Sequence, residues 1–248
     1  MKTNVICALL SLTAFTSMAQ ETTPLSLGEG SGMRLTLSGD IVSNYIWRGQ
    51  DLGNMSLQPT LGVEYKGLSL TAWGSVGLAD ANDTKEFDLT LAYSIGGLNI
   101  GVTDYWFNQA DGGDPDGRYF MYESHNTNHV FEANIGYDFG FASLQWFTNF
   151  AGNDGTNKDG KRAYSSYVEA TVPFKLAAID WDATVGAVPF ATTAYNGWTN
   201  SFAVTNVALK ATKNIRVTDS FSIPVFGQVV ANPCSQKAYL VLGFTLQL

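Results

Sequence analysis

Charge is what this sequence has least of. Of its 248 residues only 15% are Asp, Glu, Lys or Arg, against about 25% in ordinary soluble domains. So few charges cannot coat a soluble surface. Those present sum to −8, which argues against nucleic acid as a partner, because a polyanion calls for a basic face. Cysteine is nearly absent. Cys7 lies in the N-terminal apolar segment and Cys234 sits beside Pro233. The single thiol left after processing cannot form an internal disulfide. Long apolar runs are missing as well. After Ala19 no stretch reaches 18 consecutive apolar residues, so no transmembrane helix is expected. Proline is scarce, 7 residues against 25 glycines, a balance that suits many strands joined by turns.

The N-terminus reads as a secretory signal. Lys2 precedes an apolar core from Val5 to Phe15, and Ser17-Met18-Ala19 is a small-x-small cleavage site before Gln20. The core is too short for a membrane anchor, and Cys7 lacks the small residues that precede a lipidation site. The expected organisation is a signal peptide over 1–19, a flexible lead-in over 20–33, and one domain over 34–248.

What fills that domain is alternation. In Arg34 to Gly49, Leu35, Leu37, Ile41, Tyr45 and Trp47 fall on one parity, and Asp40, Asn44 and Arg48 on the other. Successive strand side chains point to opposite faces, so the stretch has one apolar and one polar face. It exceeds the roughly 9–11 residues that a tilted strand needs to cross a bilayer. The design recurs over 56–66, 68–79, 84–95, 98–107, 128–139, 141–151, 162–174, 178–190, 201–212, 219–231 and 236–248, giving twelve strands. Connections after even strands are short, such as Lys66-Gly67 and Gly96-Gly97. Those after odd strands are longer, above all 108–127, 152–161 and 191–200. Short periplasmic turns, longer external loops and an even strand count predict an all-β, 12-stranded antiparallel transmembrane β-barrel of the bacterial outer membrane. A soluble barrel would put the apolar face inside. Here the polar face is mainly Ser, Thr, Asn and Gly, and aromatics such as Tyr45, Trp47, Tyr65, Tyr93, Trp106, Tyr137, Phe139, Tyr164 and Phe174 gather near strand ends, as in interfacial girdles. The apolar face is therefore expected towards lipid, with Trp47 near the outer interface. Because hydrocarbon offers the backbone no partners, the last strand must pair with the first.

Three segments carry a family resemblance. They are Trp47-Arg48-Gly49, Gln58-Pro59 and Ala72-Trp73-Gly74, within Val42 to Ser75. In that region, and in the strand pair Phe87 to Phe107, the chain resembles the TorF family of porins. The likeness covers about the first third of the chain. It implies an outer-membrane barrel with a pore role, and no substrate or catalytic residue.

Parity then nominates the lumen-facing residues: Asp40, Asn44, Arg48, Glu64, Trp73, Glu86, Asp88, Glu132, Glu169, Asp182 and Lys210. An acidic ring at a constriction would favour cations and polar solutes. The alternative is a plugged barrel with a structural or adhesive role through its loops, in which Arg48 and Lys210 pair with these carboxylates and fill the lumen. His125 and His129, in the run HNTNH, raise a second alternative, a lipid-modifying hydrolase, with Ser124 as the neighbouring hydroxyl. Nucleophilic catalysis needs a spatial arrangement that sequence neighbours do not establish. Asp111, Asp114 and Asp116 lack the alternating ligands and distal Glu of a calcium loop and read as a solvated turn, as do Asp154 and Asp159. The expectation is a channel for small polar solutes or ions rather than an enzyme, with no metal or cofactor. Its partners would be outer-membrane lipid and the barrel-insertion machinery.

Overall fold

The computed structural model describes residues 25–26, 32–80, 83–123, 126–197, 201–219 and 221–247. The signal segment 1–19, most of the lead-in, Ser124 and His125 lie outside the described residues. The elements are β1 (Leu25–Ser26), β2 (Met33–Val42), β3 (Tyr45–Trp47), β4 (Gln50–Gly53), β5 (Ser56–Tyr65), β6 (Leu68–Gly77), β7 (Glu86–Ile95) and β8 (Leu98–Phe107), then β9 (His129–Asp138), β10 (Ser143–Gly152), β11 (Ser166–Leu176), β12 (Ile179–Val188), β13 (Ala203–Arg216), β14 (Ser222–Asn232) and β15 (Lys237–Gln247). Twelve of them, β2 and β5 to β15, form one antiparallel sheet in which β2 pairs with both β5 and β15. The sheet is a closed barrel. Its seam runs from Gly243 opposite Val42 to Gln247 opposite Ser38. Below the seam β15 runs out, and β1 pairs with Arg34 and Leu35 of β2 instead. That limits the stretch of unpaired strand edge.

The local sequence explains the turns. Lys66-Gly67 and Gly96-Gly97 have positive φ at both positions, the two-residue hairpin geometry that matches strand twist. Ala177 and Ala178 adopt the same geometry without glycine. These turns define one rim. The connections 43–55, 78–85, 108–128, 153–165, 189–202 and 233–236 gather at the other.

The outer face is apolar. Leu61, Leu91, Ile95, Ile135, Val229 and Leu240 are each more than half exposed, and only lipid makes such a band stable over a whole barrel. Tyr65, Tyr93, Tyr137, Phe139 and Phe174 ring its short-turn rim, with Phe174 stacked on Trp181 at 6.1 Å. The wall's inner face pairs laterally. Thr90 meets Thr103, Thr171 meets Thr184, and the Asn134 amide donates to Asn99, each at 3.0 Å.

Two ionisable side chains on the outward parity break the band at its external side. Asp104 and His129 lie near the external rim, 2.7 Å apart. The 108–128 loop covers them. His129 Nε2 meets the Tyr119 carbonyl at 2.5 Å, and the imidazole stacks on Tyr122 at 4.2 Å. This loop is thus fastened to the outside of the wall. Asp114 braces it internally, accepting hydrogen bonds from the Arg118 guanidinium and backbone N–H at 2.8–2.9 Å. Those bonds hold the Asp114 carboxyl far below the usual carboxylate range.

The clasp predicts a local effect. His129→Ala leaves Asp104 and the Tyr119 carbonyl without their partner, a cost of about 1–3 kcal/mol for each group left unsatisfied. Limited proteolysis should then cut within 108–128 in the variant while the barrel stays intact. Identical digestion of variant and parent would show that His129 does not hold the loop.

Candidate functional site

The first strand is shorter than its alternation suggests. β2 leaves the wall at Val42, where the Ser43 N–H donates to the Leu242 carbonyl and the Ser43 hydroxyl accepts from the Leu242 N–H. Beyond it, β3 and β4 form a separate hairpin that folds into the lumen. Tyr45 and Trp47, expected towards lipid, therefore point inside. An internal hairpin alternates just as a wall strand does, and periodicity cannot separate them. The turn at the tip is Arg48-Gly49, with φ of 50° and 79°. Glycine is required there on two counts, the left-handed φ and the space, because a side chain at that position would meet the Thr205 carbonyl oxygen at 1.8 Å. The Gly49 carbonyl accepts from the Asn232 side chain at 3.0 Å.

The hairpin bridges the barrel. Tyr45 packs on Trp73 of β6, with ring centroids 5.6 Å apart. Ile46 joins Val42, Phe226 and Val241 on the side of the seam. Trp47 lies between Tyr105 of β8 and Tyr195 of the 189–202 loop. At the tip, the Arg48 guanidinium donates to both oxygens of Glu132 on β9, at 2.6 and 2.9 Å, and to the Tyr195 hydroxyl at 2.5 Å. Tyr105 donates to the same carboxylate at 2.8 Å. The Arg48 guanidinium carbon also lies over the Trp47, Phe147 and Tyr167 rings at 4.1–4.7 Å. Arg48 is 8% exposed and Glu132 2%, so this is a desolvated, bidentate pair inside an aromatic box. The space left beside it, between Arg48, Tyr167, Glu169, Asn206 and Gln228, is a cavity of only about 40 Å³.

The remaining nominated residues divide into groups. Glu169 accepts from Tyr167 at 2.5 Å and from Asn206 at 3.3 Å. Lys210 is buried with its ammonium 4.4 Å from the Phe226 ring centre, in the field of Asp40 and Asp182. Asp40 also accepts from Thr245 across the seam at 2.5 Å. Glu64 pairs with Arg34 at 2.5 Å near the short-turn mouth. Glu86 and Asp88 sit at the opposite mouth beside Tyr45. Asn44 is half-buried at the bend where the chain leaves the wall. The expected stripe Asp40–Asn44–Arg48 is thus not continuous. Asp40 belongs to the wall, and Arg48 reaches across the lumen to the far side. Sequence reasoning missed Tyr105, Tyr167 and Tyr195, which complete the box. Trp-Arg-Gly was the available signal, since a residue followed by glycine between short alternating runs is a hairpin-turn pattern.

Among the described residues no group of three His, Cys, Asp or Glu is placed to hold a metal ion. Asp154 caps its own loop, accepting from Asn149, Gly155 and Ser165 at 2.7–3.1 Å. Cys234 forms no disulfide among the described residues and packs against the Phe147–Tyr167–Tyr195 cluster.

No family model and no curated protein matches the chain. Among solved structures it is similar to the NanC porin, at 8% identity over 85% of this chain and 97% of that one, with a TM-score of 0.41. It is also similar to the outer membrane phospholipase OMPLA of Salmonella typhi, at 12% identity over 92% and 94%, TM-score 0.38. A third is OccK2 of Pseudomonas aeruginosa, at 11% identity over 89% and 68%, TM-score 0.33. Scores at this level say nothing about what passes through or reacts at the barrel.

The Arg48–Glu132 pair predicts non-additivity. Removing either partner strands a buried charge, and Arg48→Met or Glu132→Leu alone should each destabilise by about 3–5 kcal/mol. The double variant should be markedly less destabilised than the sum of the singles. Unfolding transitions in detergent measure this, and additive losses would mean that the two side chains are not energetically coupled.

Proposed function

We propose that this chain is a porin-like channel of the bacterial outer membrane, of TorF type, which passes small polar solutes or ions and is narrowed near its external mouth by the inward hairpin. The observation that carries the reading is how the lumen is closed. A wall lined with Thr, Asn, Gln and Ser is obstructed by a single hairpin whose tip is held chiefly through Arg48 on Glu132 and Tyr195. In this reading the acidic excess near the mouth gives a preference for cations. Lipid surrounds the apolar band, and the insertion machinery delivers the barrel to it.

The hydrolase reading has less support. A general base must offer a ring nitrogen to a hydroxyl, and both nitrogens of His129 are taken, one by Asp104 and one by the Tyr119 carbonyl. The purely structural reading draws on the same closure as the channel, and conductance separates the two.

The experiment is single-channel recording in planar bilayers. The parent is expected to show small, cation-preferring currents, and Arg48→Ser to raise the open conductance severalfold. Replacing residues 45–53 by a short glycine linker should raise it further. Silence from the parent and both variants, each shown to be a folded barrel by circular dichroism, would overturn the channel.

A further inference from the structure

Lys210 is held differently from the arginines of the lumen. Arg34 and Arg48 each have a carboxylate in direct contact, Glu64 at 2.5 Å and Glu132 at 2.6 Å. Lys210 is only 2% exposed, and it lies in the field of two carboxylates, Asp40 and Asp182. Among the described residues it forms a contact ion pair with neither. Its ammonium lies instead 4.4 Å from the centre of the Phe226 ring. That ring is fixed in place, because it fills the space that a side chain at Gly243 would need. The face of an aromatic ring with two flanking carboxylates is what an alkylammonium ion requires of a binding site. The protein fills that site with a side chain of its own.

Its position in the barrel gives this a consequence. In register, Lys210 stands between Asp182 of β12 and Gln228 of β14. Gln228 also lines the gap beside Arg48, as does Asn206. Asn206 is on the same face of β13 as Lys210, about 13 Å along the strand towards the external side. A solute that passes the hairpin on that side therefore meets Lys210 next. There the lumen is filled again, since Lys210, Phe226, Val241 and Gln58 are all buried. This is a second narrowing, between the hairpin and the short-turn rim. A tethered ammonium at such a point acts on a permeant cation in two ways. It occupies the place between the carboxylates that a free cation would take, and its field repels that cation.

We infer that Lys210 is a specificity-determining residue of the channel: a built-in ammonium that occupies a cation site made by Asp40, Asp182 and the Phe226 ring, and so limits how strongly the lumen favours cations. The inference rests on the channel proposed above. Arg48 then governs how wide the passage is, and Lys210 governs which charge crosses it. The site also defines its ligand class, a short primary alkylammonium. Truncating Lys210 to alanine removes the atoms of n-propylammonium.

The test uses the full mature chain in planar bilayers, with reversal potentials read across a potassium chloride gradient. Lys210→Met keeps the bulk against Phe226 and removes the charge, and should raise the cation-over-anion permeability ratio severalfold. Asp182→Asn keeps the ammonium and should lower the ratio. In Lys210→Ala, n-propylammonium chloride should reduce the current saturably. The parent should not respond to it, and n-propanol should leave both unchanged. A role in packing alone would not move the ratio in opposite directions or create an ammonium block. Unchanged ratios in both charge variants, or a Lys210→Ala channel indifferent to n-propylammonium, would overturn the inference. If the lysine variants do not form the barrel, Asp182→Asn decides alone, and an unchanged ratio overturns it. Conductance with unchanged ratios counts against this inference only, whereas silence from every variant overturns the channel and this inference with it.

Discussion

Everything in this barrel follows from the fact that hydrocarbon accepts no hydrogen bonds. A strand edge left open in a bilayer costs several kcal/mol per backbone group, so β15 must return to β2. Once closed, the wall has one face against lipid and one against whatever the lumen holds, and the period of two sorts the side chains between them. The sorting is strict enough that its exceptions are informative. Asp104 and His129 are polar residues on the lipid parity, and a loop with its own aromatic residues is folded back over them. The lipid face tolerates that pair only because the protein supplies its own cover.

The same constraint applies inside, with a different solution. Lumen-facing hydroxyls and amides bond to neighbours across adjacent strands, so the wall is polar without depending on anything at the centre. The centre is filled separately. Arg48 carries a charge that burial would make prohibitive on its own, and it is stable there because Glu132 receives both arms of the guanidinium while four aromatic residues exclude water around it. The low local dielectric strengthens the pair once it is complete and penalises either half when alone.

Strand number, closure, the facing of the wall and the placing of long and short connections were legible in the sequence, because each is a consequence of period-two patterning and of turn pairs such as Lys66-Gly67. The inner hairpin was not. Tyr45 and Trp47 keep the parity of Leu35 and Leu37, so nothing in the pattern marks the point at which the chain leaves the wall. That departure is decided by a pair of hydrogen bonds between Ser43 and Leu242, 199 residues apart, one backbone to backbone and one from the Leu242 N–H to the Ser43 hydroxyl, and by the approach of Gly49 to the Thr205 carbonyl. Such contacts exist only after the barrel has closed. The aromatic partners of Arg48 were hidden for the same reason. Tyr105, Tyr167 and Tyr195 come from three separate segments, and only the curvature of the sheet brings them to one point.

The way the hairpin is anchored limits how the lumen can open. Tyr45, Ile46, Trp47 and Arg48 bind four different parts of the wall and loops. Gln50 adds a hydrogen bond to the Ala194 carbonyl at 2.5 Å. Withdrawing the whole hairpin means releasing all of these at once, including the aromatic burial that accompanies each. Releasing only the tip means exchanging the contacts of one guanidinium for water. The less costly passage therefore runs beside Arg48, where the 40 Å³ gap, Glu169 and Asn206 already lie. The aromatic anchors Tyr45 and Trp47 then stay in place as a fixed strut.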